Sequence, residues 1–394
     1  MARLIEALSN FQVLVWARRM SGLKPEEVAR KAQVKPERLK SWENGERRPS
    51  ISQLRKLADI YKRPLSVFFL KAPPPDEDTP SDYRRFDPQA TEPLSPELRL
   101  SIRDARARRD AALELYDELD EKPPEFLHAA DLSRDPEEVG SQLLSALKEV
   151  ASPPIGDPRL FFNYWRRAAE SLGVLVFQAE GVDVEEMRGF SIANRPLPAV
   201  VVNIKDAYAA RSFSLLHEIT HIMLNRGGLC LFEEGGPSST AQRTEVFCNH
   251  VAGAALLPAN SLLREKETPS KRVQHISDHA ISLLAKRFGA SQEAVLRRLL
   301  ILERVTPEFY RGKRKSYQQQ YKKLRASRQA GGFAPPHTLA IARSGQLFAR
   351  LVLEAYDEER ITASDLSEHL KVRLKHLDLI RSAIHQKPVA GEHT

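Results

Sequence analysis

The sequence predicts a mostly helical α+β protein, with a helical domain at each end and a small β-sheet in between. Apolar residues recur at helical spacing over residues 5–70 and over most of the chain beyond residue 95. Short runs of β-branched and aromatic residues, separated by Gly, Asn and Pro, lie between residues 174 and 204 and predict the sheet. A chain of 394 residues exceeds one comfortable hydrophobic core, so we expect two or three domains.

Residues 1–70 are predicted to form a five-helix domain of the helix-turn-helix type. This segment holds fifteen Lys and Arg against seven Asp and Glu, an excess equal to the whole chain's net charge of +8. Leu39 and Trp42 are expected to face its core, so the polar face of the same helix points outward. Such a helix has the size and polarity to enter a major groove of DNA. The candidate DNA-binding residues are Lys35, Glu37, Arg38, Lys40, Ser41, Arg18, Arg19, Arg47 and Arg48.

The runs Trp42-Glu43-Asn44-Gly45 and Arg48-Pro49-Ser50 resemble the Xre/Cro-type helix-turn-helix family. The resemblance implies binding to double-stranded DNA. One departure concerns the Gln that usually opens the second helix and contacts phosphate, because Pro25 stands in its place. Phosphate anchoring would then be weaker, or would rest on Arg18, Arg19, Arg47 and Arg48. A fold of this type that holds a protein partner remains an alternative.

A Pro-rich acidic linker over residues 71–94 is followed by a predicted central domain over residues 95–330 and a C-terminal helical module over residues 331–394. In the central domain, helices are expected at 95–119, 136–150 and 158–172, before strands that begin at Val174, Gly189 and Ala199. Two longer helices at 207–224 and 241–257 follow, and then a helical pair over 273–300. The strand ending at Asn203 is expected to be a sheet edge that could pair with an extended substrate.

The central motif is His217-Glu218-Ile219-Thr220-His221. Residues four apart share one face of a helix, so both imidazoles can bind one metal ion, with Glu218 in reach of a water molecule. A catalytic zinc site needs a third protein ligand, and Glu245 on the next helix is the candidate. Asn249 shares the face of Glu245 and could orient its carboxylate. Two surface histidines on an amphipathic helix are the alternative, which the apolar surroundings disfavour.

The pattern Arg211-x5-His217-Glu-x-x-His221, followed by Glu245-x-x-Cys-Asn249-x-x-Ala and Leu-Leu-Pro258, resembles the ImmA/IrrE family of metallo-endopeptidases. The resemblance implies a zincin-like peptidase core in which His217, His221 and Glu245 bind Zn²⁺ and Glu218 is the catalytic base. It also implies cleavage of a protein such as a transcriptional repressor or antitoxin, often encoded nearby, by zinc-activated water. Cys248 stands where Ala is commoner in the family.

The alternative function is that of a DNA-binding regulator or antitoxin whose zinc site is vestigial or structural. A structural site has no use for a base, so the intact Glu218 favours the enzyme. Two cysteines, no long apolar run and a start without a secretory pattern lead us to expect a cytoplasmic protein with no membrane partner. The oligomeric state is left open, and a dimer is compatible with the sequence.

Overall fold

The computed structural model describes residues 6–75, 81–82, 94–148, 156–230, 240–327 and 335–385. The chain divides into two compact units. The first comprises Met1–Thr79 and Asp87–Asp104, and the second comprises Pro80–Phe86 and Ala105–Thr394. The predicted fold class is confirmed: the protein is mostly helical, with a helix-turn-helix unit, a small sheet beside the HExxH helix and a helical C-terminal region.

The first unit contains four α-helices and a 3-10 helix, as the sequence predicts. They are α1 (Phe11–Met20), α2 (Pro25–Ala32), α3 (Pro36–Glu43), α4 (Ile51–Tyr61) and the 3-10 helix Leu65–Phe69. The side chains of Asn10 and Ser50 accept backbone N–H groups at the starts of α1 and α4, which fixes where these helices begin. Leu39 and Trp42 are only 1% and 2% exposed, so their predicted place in the core is confirmed.

Thirteen α-helices begin in the remaining described residues. The first of them, α5, spans residues of both units, since the division falls at Asp104. The helices are α5 (Pro96–Glu118), α6 (Pro136–Lys148), α7 (Pro158–Ser171), α8 (Tyr208–Met223), α9 (Thr240–Leu256), α10 (Ala259–Leu262), α11 (Asp278–Phe288), α12 (Gln292–Ile301), α13 (Pro307–Ser327), α14 (Pro336–Ser344), α15 (Gln346–Asp357) and α16 (Ala363–Leu370). A 3-10 helix at Leu374–His376 leads into a further helix, α17 (Leu377–His385).

The sheet of the second unit has five strands in the order β1-β5-β3-β4-β2. The strands are β1 (Ser81–Asp82), β2 (Leu175–Ala179), β3 (Gly189–Ile192), β4 (Ala199–Asn203) and β5 (Gly228–Cys230). β2 runs parallel to β4, β3 is antiparallel to both β4 and β5, and β1 is parallel to β5. The expectation that β4 is a sheet edge is wrong, because its backbone pairs with β3 on one side and β2 on the other.

The HExxH helix α8 lies in the middle of the second unit, packed against α7, α9, β3 and β4. Leu215, Leu216, Ile219 and Ile222 are fully buried, because neighbouring elements cover the helix on several sides. Two of the C-terminal helices, α14 and α15, pack on β2. No helix in the described part of the chain combines the length and apolar character needed to cross a membrane.

Candidate metal centre

The two motif histidines project from one face of α8. Since they are four residues apart, their imidazoles come together, and the Nε2 atoms of His217 and His221 lie 3.1 Å from each other. Neither side chain is exposed to solvent. The predicted helix and the predicted shared face are therefore both present in the structure.

Glu245 reaches these imidazoles from α9, which packs against α8. Its carboxylate oxygens lie 3.4 Å from the Nε2 atom of His217 and 3.1 Å from the Nε2 atom of His221. Glu245 is only 3% exposed. Together the three side chains form a group of ligand atoms that could hold a metal ion.

The spacing of these donor atoms suits a zinc ion. Ligand atoms about 2.0–2.1 Å from a tetrahedral zinc lie about 3.3 Å from one another. The shortest distances between the three groups are 3.1, 3.1 and 3.4 Å, with one oxygen of the Glu245 carboxylate near each imidazole. Two imidazole nitrogens and one carboxylate oxygen are also a donor set that catalytic zinc uses. The residues present therefore fit the ion that the sequence predicts.

Two members of the cluster, His217 and Glu245, have charge states that suit metal binding. Burial is the largest effect on His217 and lowers the pKa of its imidazole, which favours the neutral form. Burial alone would raise the pKa of Glu245, but hydrogen bonds with His217 and His221 outweigh it and hold the pKa at about 2. Neutral imidazoles and an ionised carboxylate bind metal without first losing protons.

Glu218, the third functional residue of the motif, lies on the side of α8 that faces β3. Its Oε2 atom accepts a hydrogen bond from the Ser191 hydroxyl at 3.0 Å, and both residues are buried. A Cβ atom added to Gly189 would lie 3.1 Å from the Glu218 Oε1 atom. Sequence reasoning missed Ser191, although the alternation of small and large residues in Gly-Phe-Ser-Ile was a signal of a face that accommodates a side chain.

Two further residues of the predicted pattern lie on the ligand helices. Arg211 donates to the Asp206 carbonyl at 2.9 Å and to the Gln178 side chain at 3.0 Å, which ties the start of α8 to the end of β2. The Oδ1 atom of Asn249 is buried and has no hydrogen-bond partner among the described residues. The role expected for Asn249, to orient the Glu245 carboxylate, therefore stays a prediction.

Cys248 is fully buried beside His221. Burial is the largest effect on its thiol and raises its pKa, so the group stays protonated at neutral pH. A protonated thiol is a poor metal ligand, which leaves the donor set as two histidines and one glutamate.

In the first unit, most of the candidate DNA-binding residues lie on the surface. Those on or next to α3 are exposed, except for Ser41, which is half-buried and donates its hydroxyl to the Arg38 carbonyl at 2.8 Å. Arg18 is half-buried and forms two hydrogen bonds with Glu43, at 2.7 and 3.0 Å. This pair links α1 to α3 and gives Arg18 a structural contact. The exposed candidates are Lys35, Glu37, Arg38, Lys40, Arg19, Arg47 and Arg48.

Comparison with protein families now bears on both units. Residues 169–300, which include β3, α8 and α9, match the peptidase family model described as the IrrE N-terminal-like domain. This segment, called the IrrE-like domain below, is similar to that family. Residues 14–68 match the helix-turn-helix family model. A search of curated protein sequences finds no match. The IrrE-like domain carries the entire His/His/Glu cluster. The two family matches confirm both predicted resemblances. A metallopeptidase-like domain therefore shares the chain with a domain of DNA-binding type.

Proposed function

We propose that the IrrE-like domain is a zinc-dependent endopeptidase. In this proposal His217, His221 and Glu245 hold the ion and Glu218 is the catalytic base. The observation that carries it is the buried cluster of two imidazoles and one carboxylate, whose nearest atoms lie 3.1–3.4 Å apart. A second carboxylate, that of Glu218, follows His217 directly on the same helix. A cluster that served only to stabilise the fold would not need Glu218.

Zinc, when bound, supplies a Lewis acid that acidifies water and polarises a peptide carbonyl. The chain's own residues supply the rest. Glu218 takes a proton from the attacking water on its carboxylate and later passes that proton to the departing amine. Arg211 holds the start of the ligand helix α8 in place through the Asp206 carbonyl and the Gln178 side chain at the end of β2. Burial of the site strengthens each of these electrostatic contacts.

The proposed substrate is a regulatory protein, such as a transcriptional repressor or an antitoxin. The helix-turn-helix match supports a regulatory role, because it joins a peptidase-like domain to a domain of DNA-binding type in one chain. Cleavage of a repressor at one site would relieve repression. An endopeptidase of narrow specificity could perform this role.

The experiment that tests this proposal co-expresses the chain with proteins encoded beside its gene and follows their cleavage. Wild type should cleave a neighbour at one site, whereas Glu218→Gln should not, because an amide cannot accept the proton. Both proteins should purify with about one zinc per chain, since Glu218 is not among the proposed ligands, while His217→Ala should lose most of its zinc. Equal cleavage by wild type and Glu218→Gln would disprove the mechanism.

We also propose that the first unit binds double-stranded DNA through α3. Lys35, Arg38 and Lys40 are exposed on or beside this helix, while Leu39 and Trp42 anchor its opposite face in the core. Such a helix can place basic side chains against phosphates and base edges.

Fluorescence anisotropy with duplexes from the chain's own promoter region tests this role. Arg38→Ala with Lys40→Ala should weaken binding at least tenfold and reduce the slope of log affinity against log salt by about one to two. Arg55→Ala, which removes an exposed charge from α4, is the control for net charge. If the control weakens binding as much as the changes on α3, the assigned surface is wrong.

A further inference from the structure

The face of β3 that meets α8 carries only small side chains. Gly189 and Ser191 are two residues apart, so they point to the same side of the sheet, whereas Phe190 and Ile192 point to the other. The backbone of β3 is fixed by its pairing with β4, in which Gly189 lies opposite Val202 and Ser191 opposite Val200. The two small residues therefore stand at defined positions in front of α8.

The Glu218 carboxylate fills the space that these two residues leave. Ser191 donates its hydroxyl to the Oε2 atom at 3.0 Å. On the other side, a Cβ atom at Gly189 would come within 3.1 Å of the Oε1 atom and 3.2 Å of Cγ. Ser191 is 1% exposed and Glu218 is not exposed at all. The Ser191 hydroxyl thus holds the Glu218 carboxylate on one side, and the carboxylate lies against the Gly189 backbone on the other.

A contact of this kind matters for a catalytic base. The last torsion of a glutamate is broad, so packing alone defines the plane of its carboxylate poorly. A hydrogen bond to an ionised oxygen is about twice as strong as one between neutral groups, and burial removes the competition from water. Base catalysis in turn depends on the distance and direction from the base to the proton it takes.

We propose that Ser191 is a positioning residue for the peptidase reaction. Its hydroxyl fixes the carboxylate of Glu218 in the orientation from which it serves as the base, and Gly189 is small because that carboxylate needs the space. The proposal rests on the proposed peptidase function. It concerns Glu218 alone, since Ser191 lies outside the His/His/Glu cluster.

The test compares Ser191→Thr with Ser191→Val. The two new side chains have nearly the same shape, so any strain from the added branch is common to both, and they differ in the hydroxyl. With the protein substrate found by co-expression, Ser191→Thr should keep kcat within about threefold of wild type. Ser191→Val should lower kcat about 10–100-fold with KM little changed, because a misplaced base slows the chemical step. Zinc content should be equal in all three proteins.

A second measurement follows the contact without catalysis. In the metal-free protein, Ser191→Ala should lower the unfolding midpoint when Glu218 is present and have a smaller effect beside Glu218→Gln, since an amide then replaces the carboxylate that accepts the Ser191 hydroxyl. Additive effects of the two substitutions would show that the hydroxyl does not hold the carboxylate.

The possible outcomes separate this proposal from the one it rests on. A cleaving wild type whose Thr and Val variants have the same kcat would overturn the role of Ser191 and leave the peptidase function standing. A kcat deficit in Ser191→Val that zinc loss accounts for would also overturn it. If wild type cleaves none of the neighbouring proteins, the peptidase proposal fails and the role of Ser191 fails with it.

Discussion

Glu245 lies 24 residues after His221, yet its carboxylate comes within 3.1 Å of that imidazole because α9 packs on α8. All three members of the cluster are almost completely buried, at 0% exposure for the histidines and 3% for Glu245. Burial lowers the pKa of the His217 imidazole, whereas hydrogen bonds with both imidazoles keep the Glu245 carboxylate ionised despite its burial.

This burial predicts the kinetics of metal removal. The side chains of the three proposed ligands are buried, so they can give up zinc to a chelator only when the structure opens locally. We expect the rate of zinc transfer to a strong chelator to become independent of chelator concentration once the chelator is in excess. Stopped-flow or manual mixing with a chromophoric chelator measures it. A rate that rises in proportion to chelator over the whole range would mean that the ligands are open to solvent.

At this scale the sequence predicts some residues much better than others. His217 and His221 follow from helix periodicity alone, because a spacing of four sets both on one face. Glu245 needed helix spacing together with the family pattern, since distance along the chain does not show how two helices pack. Ser191 could not be predicted, because its contact with Glu218 depends on strand register and on how α8 lies across β3.

Among the secondary-structure elements, α6, α9 and α12 meet at one carboxylate. Glu137 on α6 accepts two hydrogen bonds from Arg298 on α12, and it lies 2.6 Å from the Nε2 atom of His250 on α9. Arg298 is 1% exposed and also donates to the Leu257 carbonyl at 2.8 Å. This contact gives His250 a place in the packing of three helices rather than in the metal cluster.

The network predicts a dependence of stability on pH. The Arg298 hydrogen bonds are the largest effect on Glu137 and lower its pKa to about 2, against about 4.5 for the unperturbed group. Because the folded pKa is lowered, the stabilisation is complete above about pH 5 and is lost as the pH falls towards 2. The Glu137 side chain is 35% exposed, so after allowance for solvent screening we expect about 1–2 kcal/mol.

Urea unfolding of the metal-free protein measures this contribution without interference from zinc loss. The free energy of unfolding of Glu137→Gln should fall below that of wild type by this amount at pH 6, and the difference should shrink steadily below pH 5. Glu308→Gln is the matched control, because Glu308 is 71% exposed in its pair with Arg311. Its effect should stay near zero. A deficit in Glu137→Gln that persists unchanged at pH 3 would contradict the assignment to charge.

The long helices and the three longer strands were predictable because each carries a clear period over enough residues. The strands β1 and β5 were not, since two or three residues show no alternation. Their pairing also reversed one prediction. With β5 added beside β3 and β2 beside β4, the strand expected at the edge became an interior strand. Sheet order depends on contacts between distant segments, which local patterns do not contain.

For the second unit as a whole, the C-terminal helices complete the core that begins with β2. The Gln178 side chain on β2 donates to the Ala342 carbonyl at 2.9 Å, and Phe177 meets Phe348 edge to face with centroids 6.1 Å apart. Glu170 on α7 accepts the backbone N–H of Gln346 at the start of α15. Burial is the largest effect on Glu170 and raises its pKa to about 7.

The tightest point of this packing predicts a large effect from one methyl group. Gly345 has φ +79°, and a Cβ atom there would lie 2.4 Å from the Glu170 Oε1 atom and 2.6 Å from the Val176 carbonyl oxygen. Gly345→Ala should therefore cost about 2–4 kcal/mol through backbone strain and overpacking. Urea denaturation should show zinc release and unfolding shifted together to a lower midpoint, because the helices and the site share one unit.

Gly312→Ala is the matched control for this substitution. Gly312 lies in α13, where nothing stands within 4 Å of an added Cβ atom. The change should leave stability unaltered or raise it by about 0.5–1 kcal/mol, since Ala is the better helix former. If Gly345→Ala behaves like this control, the C-terminal helices do not support the peptidase unit in the way described.

The close fit around Gly345 also bears on protein synthesis. Ribosomes make the chain from its N-terminus, and domains fold as units once their residues have emerged. The proposed metal ligands are all made by residue 245, whereas Phe348 and the rest of α15 follow about a hundred residues later. A nascent chain would hold the whole HExxH motif for several seconds before the helices that cover β2 exist. Translation itself would thus delay the completed peptidase unit until α15 has been made.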